Sequence, residues 1–195
     1  MAGYDPKRTS IHVLGLKSES GQYCTPHRIE LDFVVSRSRA MDFQISGLNV
    51  DRFSQLFGLD REALARLGVQ RLIADSKPGF PCRVSLRDAE VGENVLLMNH
   101  EHQSKPTPYQ SSHAIFVREW ARVASPDRNE IPEMFRHRLL SVRAFDAAGM
   151  MTDADIVEGA HLENLIVRML TRSSVDCLHL HNAKPGCYAA MVKRA

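Results

Sequence analysis

At 195 residues and 44% hydrophobic content, the chain has the size of one domain and enough apolar residues for one core. No apolar run of about 18 residues or more occurs, and residues 1–30 lack the apolar stretch of a secretory signal, so a soluble cytoplasmic protein with no membrane partner is expected. The formal net charge is only +2; residues 1–40 hold 6 Lys+Arg against 4 Asp+Glu and the remainder is balanced, without the basic stripe by which nucleic-acid binders neutralise phosphates. No nucleic-acid partner is expected.

Residues 1–40 read as an N-terminal extension. Gly, Ser, Thr and charges dominate, Ile29 to Val35 is the only strand-like run, and Ser36 to Arg39 resembles a linker. An extra edge strand is the alternative. The domain proper is expected from Met41 to Ala195. Phe43 and Ile45 alternate with polar neighbours as in a strand, Asn49 can cap a helix carrying Val50, Phe53, Leu56 and Phe57, and Gly58 can stop it. Asp60 is placed to cap a second short helix closed by Gly68, with Leu59 and Leu64 spaced as a hydrophobic staple. Val69 to Ala74 reads as a strand.

From Lys77 to His102 the pattern is that of a β-hairpin. Cys82, Val84 and Leu86 alternate with Arg83, Ser85 and Arg87 in the first arm; in the second, Leu96, Met98, His100 and His102 share one face. The polar segment QSKPTPYQSS follows as a loop, Ala114 to Trp120 as a strand, and Ser125 to Glu133 as a further loop. Arg138 to Phe145 and Met150 to Val157 read as strands paired through a turn ending in Gly149. Gly159 to Arg172 is the strongest helix, with Leu162, Leu165, Ile166, Met169 and Leu170 on one face. Val175 to His181, apolar on both faces, reads as a central strand, and NAKPG turns it into Cys187 to Val192.

Two histidine pairs, His100 with His102 and His179 with His181, have the H-x-H spacing that puts two imidazoles on one side of a strand, where one transition-metal ion can take both. The pairs make a three- or four-ligand site only if their strands meet; otherwise they are strand-end histidines bonded to carbonyls or carboxylates. Since imidazole must be neutral to ligate, such a site is expected to lose its ion below about pH 6.5. Cys82 beside Arg83 is a candidate nucleophile, but it shares its face with Val84 and Leu86, as a core residue would. Cys187, close in sequence to His179 and His181, is the competing candidate, while mid-strand Cys177 reads as packing. None of the four cysteines, Cys24 included, belongs to a C-x-x-C pair, and free thiols are expected. Arg118 can anchor an anionic ligand or pair with a cross-strand carboxylate. Ser112-His113 is discounted as a hydrolase pair, because adjacent strand residues point to opposite sides. Asp153, Asp155 and Glu158 suit a helix start better than a calcium loop, and phosphate-loop and dinucleotide glycine patterns are absent.

The blocks PGFPCRVSLRDAEVGE, SSHAIFVRE and HLHNAKPGCYAA, with FQISGL near Met41, resemble in that order a bacterial family known only as domain of unknown function 1203, over about residues 41–195. That resemblance implies no activity, cofactor or catalytic residue.

The expected fold is therefore a single α+β domain, a mainly antiparallel sheet with one long helix packed on it and two short N-terminal helices. Small-molecule binding or turnover, with an anionic ligand, is expected in a pocket at strand ends. Cys82, Cys187, His179 and His181 are the catalytic candidates; Arg83, His100, His102, Arg118 and Asn182 are the ligand-binding ones. A protein–protein interaction module without catalysis, with homodimer formation as its simplest form, is the alternative.

Overall fold

A computed structural model describes residues 41–195, all within one compact unit. The expected extension 1–40, its Ile29 to Val35 run and its linker lie outside the described residues. The fold is α+β and mainly antiparallel. The strands divide into two sheets where one was expected, one of five strands and one of three.

β1 (Phe43–Ser46) buries Phe43 and Ile45 as its alternation requires. Asn49 then accepts a hydrogen bond from the Asp51 amide at 3.0 Å, but it caps a 3-10 turn (Val50–Arg52) followed by a second (Ser54–Leu56), not the expected α-helix. Val50, Phe53 and Leu56 recur every three residues, which is the 3-10 period, so these turns aim all three at one cluster. α1 (Arg61–Arg66) starts as expected: Asp60 Oδ1 accepts from the Ala63 amide at 2.7 Å, and Leu64 is buried.

β2 (Gln70–Ile73) pairs with β3 (Asn94–Gln103), and β3 with β4 (Ser111–Arg118). The expected central hairpin is therefore corrected. Both edges of β3 are occupied, by β2 and β4, so residues 82–87 cannot pair with it and meet β4 instead through one parallel bridge, Cys82 to Phe116. They form a loop pinched by a Pro81–Asp88 bridge, with Leu86 at φ +47° and the Cys82 amide donating to the Arg87 carbonyl at 2.9 Å. Cys82, Val84 and Leu86 are buried as their pattern implied; Arg83, expected on the opposite face, is buried too, at 2% exposure.

The stretch expected as a loop from 125 to 133 leads into a short α2 (Glu133–Arg136). β5 (Leu139–Phe145) and β6 (Met151–Glu158) form the expected pair, their turn held by Asp146 Oδ1 accepting from the Ala148 and Met150 amides, both at 2.9 Å. α3 (Leu162–Leu170), preceded by a 3-10 turn from Gly159, is the only helix longer than six residues among those described. Gly159 is required there: a Cβ would stand 1.8 Å from the Phe135 carbonyl oxygen, so α2 crosses the start of α3 at backbone contact. β7 (Cys177–Asn182) and β8 (Tyr188–Arg194) complete the five-stranded sheet, ordered β1-β8-β7-β5-β6.

The five periodic residues of α3 are all buried against Leu140, Val142, Leu178, Leu180 and Val192 on one face of that sheet. A second cluster joins Phe53, Leu56 and Leu64 to Leu96, Met98, Ile115 and Val117 of the three-stranded sheet. Among the described residues no helix is long and apolar enough to cross a membrane.

Candidate functional site

Strand alternation decides which side chains lie between the sheets. Leu178 and Leu180 join the α3 core, so His179 and His181 point to the opposite face of β7, where both are buried. Arg143 of β5 lies beside His179 in register, and Tyr188 of β8 beside His181. The apolar rows of β3 and β4 run out into His100 and His102 on one strand, His113 and Ser111 on the other. A bulge between Glu101 and Gln103, two steps on β3 against one on β4, falls at His102. Bulges re-aim side chains, and this one carries the His102 ring onto β7.

Four imidazoles meet there. His102 Nδ1 lies 3.3 Å from His179 Nδ1, and His102 Nε2 lies 2.7 Å from His113 Nδ1. The His181 ring stands edge-on to His102 at 5.1 Å between centroids, and Tyr188 stacks on His102 at 4.8 Å and 11°. Ligand nitrogens of His102, His179 and His181 all fall within 4.8 Å of one another. A tetrahedral ion with imidazole bonds of ~2.0–2.1 Å sets its ligands about 3.3–3.4 Å apart, so the His102–His179 edge already has that length and His181, within 4.8 Å of both, closes in to complete the set.

A hydrogen bond fixes the tautomer of His181. His181 Nδ1 is 2.9 Å from the Gly186 carbonyl, which can only accept, so Nδ1 carries the proton and Nε2 the lone pair. That Nε2 is buried and has no partner among the described residues. His102 Nε2 lies 2.7 Å from His113 Nδ1 and 3.3 Å from Ser111 Oγ, which donates to the Tyr109 carbonyl at 3.1 Å; when Nε2 is the donor to these two, His102 Nδ1 keeps its lone pair toward His179. Metal-binding histidines are held in this way, the outer N–H anchored and the inner nitrogen free.

Burial is the first cause of the pKa shifts, and it keeps the rings neutral. His102 is lowered to about 2, with its neighbouring histidines adding to the effect. His181 falls to about 3, although its bond to Gly186 opposes the shift, and His179 to about 4, with Arg143 contributing to both. The limit near pH 6.5 expected for imidazole ligands therefore moves down to about pH 4. Burial also raises the Cys177 thiol, so this neighbour on the same face stays protonated. Arg143 forms no ion pair among the described residues. A groove of about 310 Å³, bordered by Arg52, His100, His102 and Tyr188, reaches the cluster from outside.

The structure brings together three of the four expected histidines. His100 instead packs edge-on to Phe53 at 5.8 Å and lines the groove. Cys187 does not join the histidines: it lies with Arg83 and Asn182 in a separate cleft. Cys82 is fully buried, its Sγ accepting from the Ser85 and Arg118 amides at 3.4 and 3.3 Å. Arg118 is engaged by Glu93 through two hydrogen bonds, that of Nε at 2.7 Å, and the pairing holds Glu93 below the usual carboxylate range. Sequence reasoning missed His113, Ser111, Arg143 and Tyr188. Ser111 and His113, two residues apart and hence on one face, carried a readable signal.

No curated protein and no solved structure matches the chain. A family model described as "Protein of unknown function (DUF1203)" matches residues 79–194, more than half of the chain, while residues 41–78, included in the expected resemblance, fall outside it. The matched span holds every histidine of the cluster, and by that match the chain belongs to the DUF1203 family.

Proposed function

We propose that the protein binds, and acts on, a small anionic molecule at a divalent transition metal held by His102 Nδ1, His179 Nδ1 and His181 Nε2. The observation that carries the reading is the buried, unpartnered Nε2 of His181, its tautomer set by Gly186 and its lone pair beside two further neutral imidazoles. An orphaned acceptor in a protein interior is costly, and an ion satisfies it. Three histidines suit zinc or a similar borderline metal and leave a fourth position for water or a ligand atom. Arg143, which has no ion-pair partner among the described residues, adds positive charge beside the cluster, which favours an anion there, while along the groove Arg52 is balanced by Glu101. Free thiols at Cys82, Cys177 and Cys187 agree with a reducing cytoplasm.

Plasma mass spectrometry of protein purified without chelator or affinity metal tests the reading. About one equivalent of a transition metal per chain is expected, lost in His181→Ala and His179→Ala, and regained by wild type but not by the variants after chelation and zinc dialysis. A wild-type protein that stays metal-free after zinc dialysis would sink it.

A further inference from the structure

On the outer side of the three-stranded sheet, between β4 and the turn after β7, a cleft of about 730 Å³ exposes a different chemistry. Its floor is Arg83. The Arg83 Nε donates to the Tyr188 carbonyl at 2.8 Å and Nη1 to the Pro81 carbonyl, while Nη2 has no hydrogen-bond partner among the described residues. Burial lowers its pKa to about 10, so it remains a cation at neutral pH. No carboxylate pairs with it. Asp88, whose charge acts on it, gives its oxygens to Arg138 at 2.5 and 2.9 Å. Three less buried arginines, Arg71, Arg118 and Arg138, each hold a carboxylate by two bonds, which makes the most buried one the exception.

Asn182 borders the same cleft at 8% exposure, and its Oδ1 is buried with no donor. A cation lacking an anion and an acceptor lacking a donor thus share one cleft, beside the apolar side chains of Leu97, Phe116 and Leu139. Asn182 Oδ1 is a buried acceptor of the kind that is nearly always satisfied, and Arg83 Nη2, which is not fully enclosed, presents a cation to the same ligand-sized space; together they specify what completes them. We infer that this cleft is a second binding site, independent of the histidine centre, for an organic carboxylate that has an apolar body and a hydroxyl or amino group next to the acid. The carboxylate accepts from Arg83 Nη2, the Asn182 amide turns its Oδ1 into the cleft to accept from the neighbouring group, and the body lies on Phe116.

Cys187 borders the cleft and is the only thiol among the described residues that is not buried, so it reports on the site. The full chain, kept in chelator to silence the histidine centre, is alkylated with iodoacetate and with iodoacetamide. In each reaction the thiolate sulfur displaces iodide from carbon, and Cys187 is followed by peptide mass spectrometry. Relative to glutathione under the same conditions, the ratio of iodoacetate to iodoacetamide rates at Cys187 is expected to rise at least fivefold, because only the first reagent is an anion. Phenyllactate should protect Cys187 in a saturable way, 3-phenylpropanoate about tenfold more weakly for lack of the hydroxyl, and phenyllactamide not at all.

Asn182→Ala removes an oxygen that bonds nothing, so it should fold and should bind phenyllactate and 3-phenylpropanoate alike. Arg83→Met should lose the iodoacetate preference; if it fails to fold, the labelling ratio of the unaltered protein and the Asn182 variant still decide. A ratio no higher than that of glutathione overturns the anion site. A raised ratio without protection by phenyllactate, or an Asn182→Ala protein that keeps the hydroxyl preference, overturns the ligand class.

Discussion

The two faces of β7 are built to opposite rules. Toward α3, Leu178 and Leu180 enter a cluster in which every neighbour is apolar and nothing is left wanting a partner. Toward β3 and β4, His179 and His181 are as deeply buried, yet a ring nitrogen is orphaned and neutral imidazoles crowd together at hydrogen-bond distance. Equal burial therefore conceals unequal completeness. The first face is finished by the chain itself, and the second makes sense when an outside atom joins it.

The largest expected effect lies on the finished face. Leu165→Ala should cost about 2–5 kcal/mol in urea unfolding, as deletions in packed cores do, while metal stoichiometry stays unchanged in the folded protein. A cost below ~0.5 kcal/mol would place Leu165 at the surface and break the contrast. On the other face, Ser111→Ala removes the acceptor that helps fix the His102 tautomer; zinc affinity should fall about 10- to 100-fold by competition with a chromophoric chelator, with little change in apo stability. An unchanged affinity would show that the hydroxyl positions nothing.

Acid separates the faces next. Histidines neutral when folded, at about 2 to 4, but near 6.5 when unfolded take up protons on unfolding throughout the interval between. Their contribution is fully present above pH 6.5 and declines as pH falls toward 4, by up to ~1.4 kcal/mol per pH unit for each histidine. Apo-protein unfolded in urea between pH 7.5 and 4.5 should show this slope, and His179→Leu should make it shallower by one proton. A slope unaffected by the substitution would mean that His179 is not held neutral. The smallest effect sharpens the comparison most: His181→Leu, which removes the orphaned nitrogen together with the Nδ1–H bond to the partly exposed Gly186 carbonyl, should change apo stability by less than ~1.5 kcal/mol, about the net worth of that one bond, while abolishing metal uptake. A loss of 3 kcal/mol or more would assign the imidazole a structural duty instead.

Much of this arrangement is legible along the strands, because alternation is a local property. The shared face of His179 with His181 follows from spacing alone, as do the α3 anchors and the central place of β7. What crosses between elements is less visible. Residues 82–87 alternate like a strand, but pairing depends on a free edge, and β2 and β4 occupy both edges of β3. Proximity in sequence suggested Cys187 as company for His179 and His181, whereas the turn through Gly186 carries it to the Arg83 cleft. Attention to the adjacent Ser112 and His113 hid the pair two apart, Ser111 and His113, and nothing local announces that a bulge would swing His102 away from His100.

Tyr188 belongs to both sites at once, through different parts of itself: its carbonyl holds Arg83 Nε, and its ring lies on His102. Mutation reaches these two contacts unequally. A change of side chain, such as Tyr188→Leu, strips the aromatic cover from the histidines but leaves the main-chain oxygen that holds the guanidinium. One residue therefore joins the sites in space while leaving them separable in genetics, and substitutions here can retune the histidine centre without passing through a form that has lost the cleft.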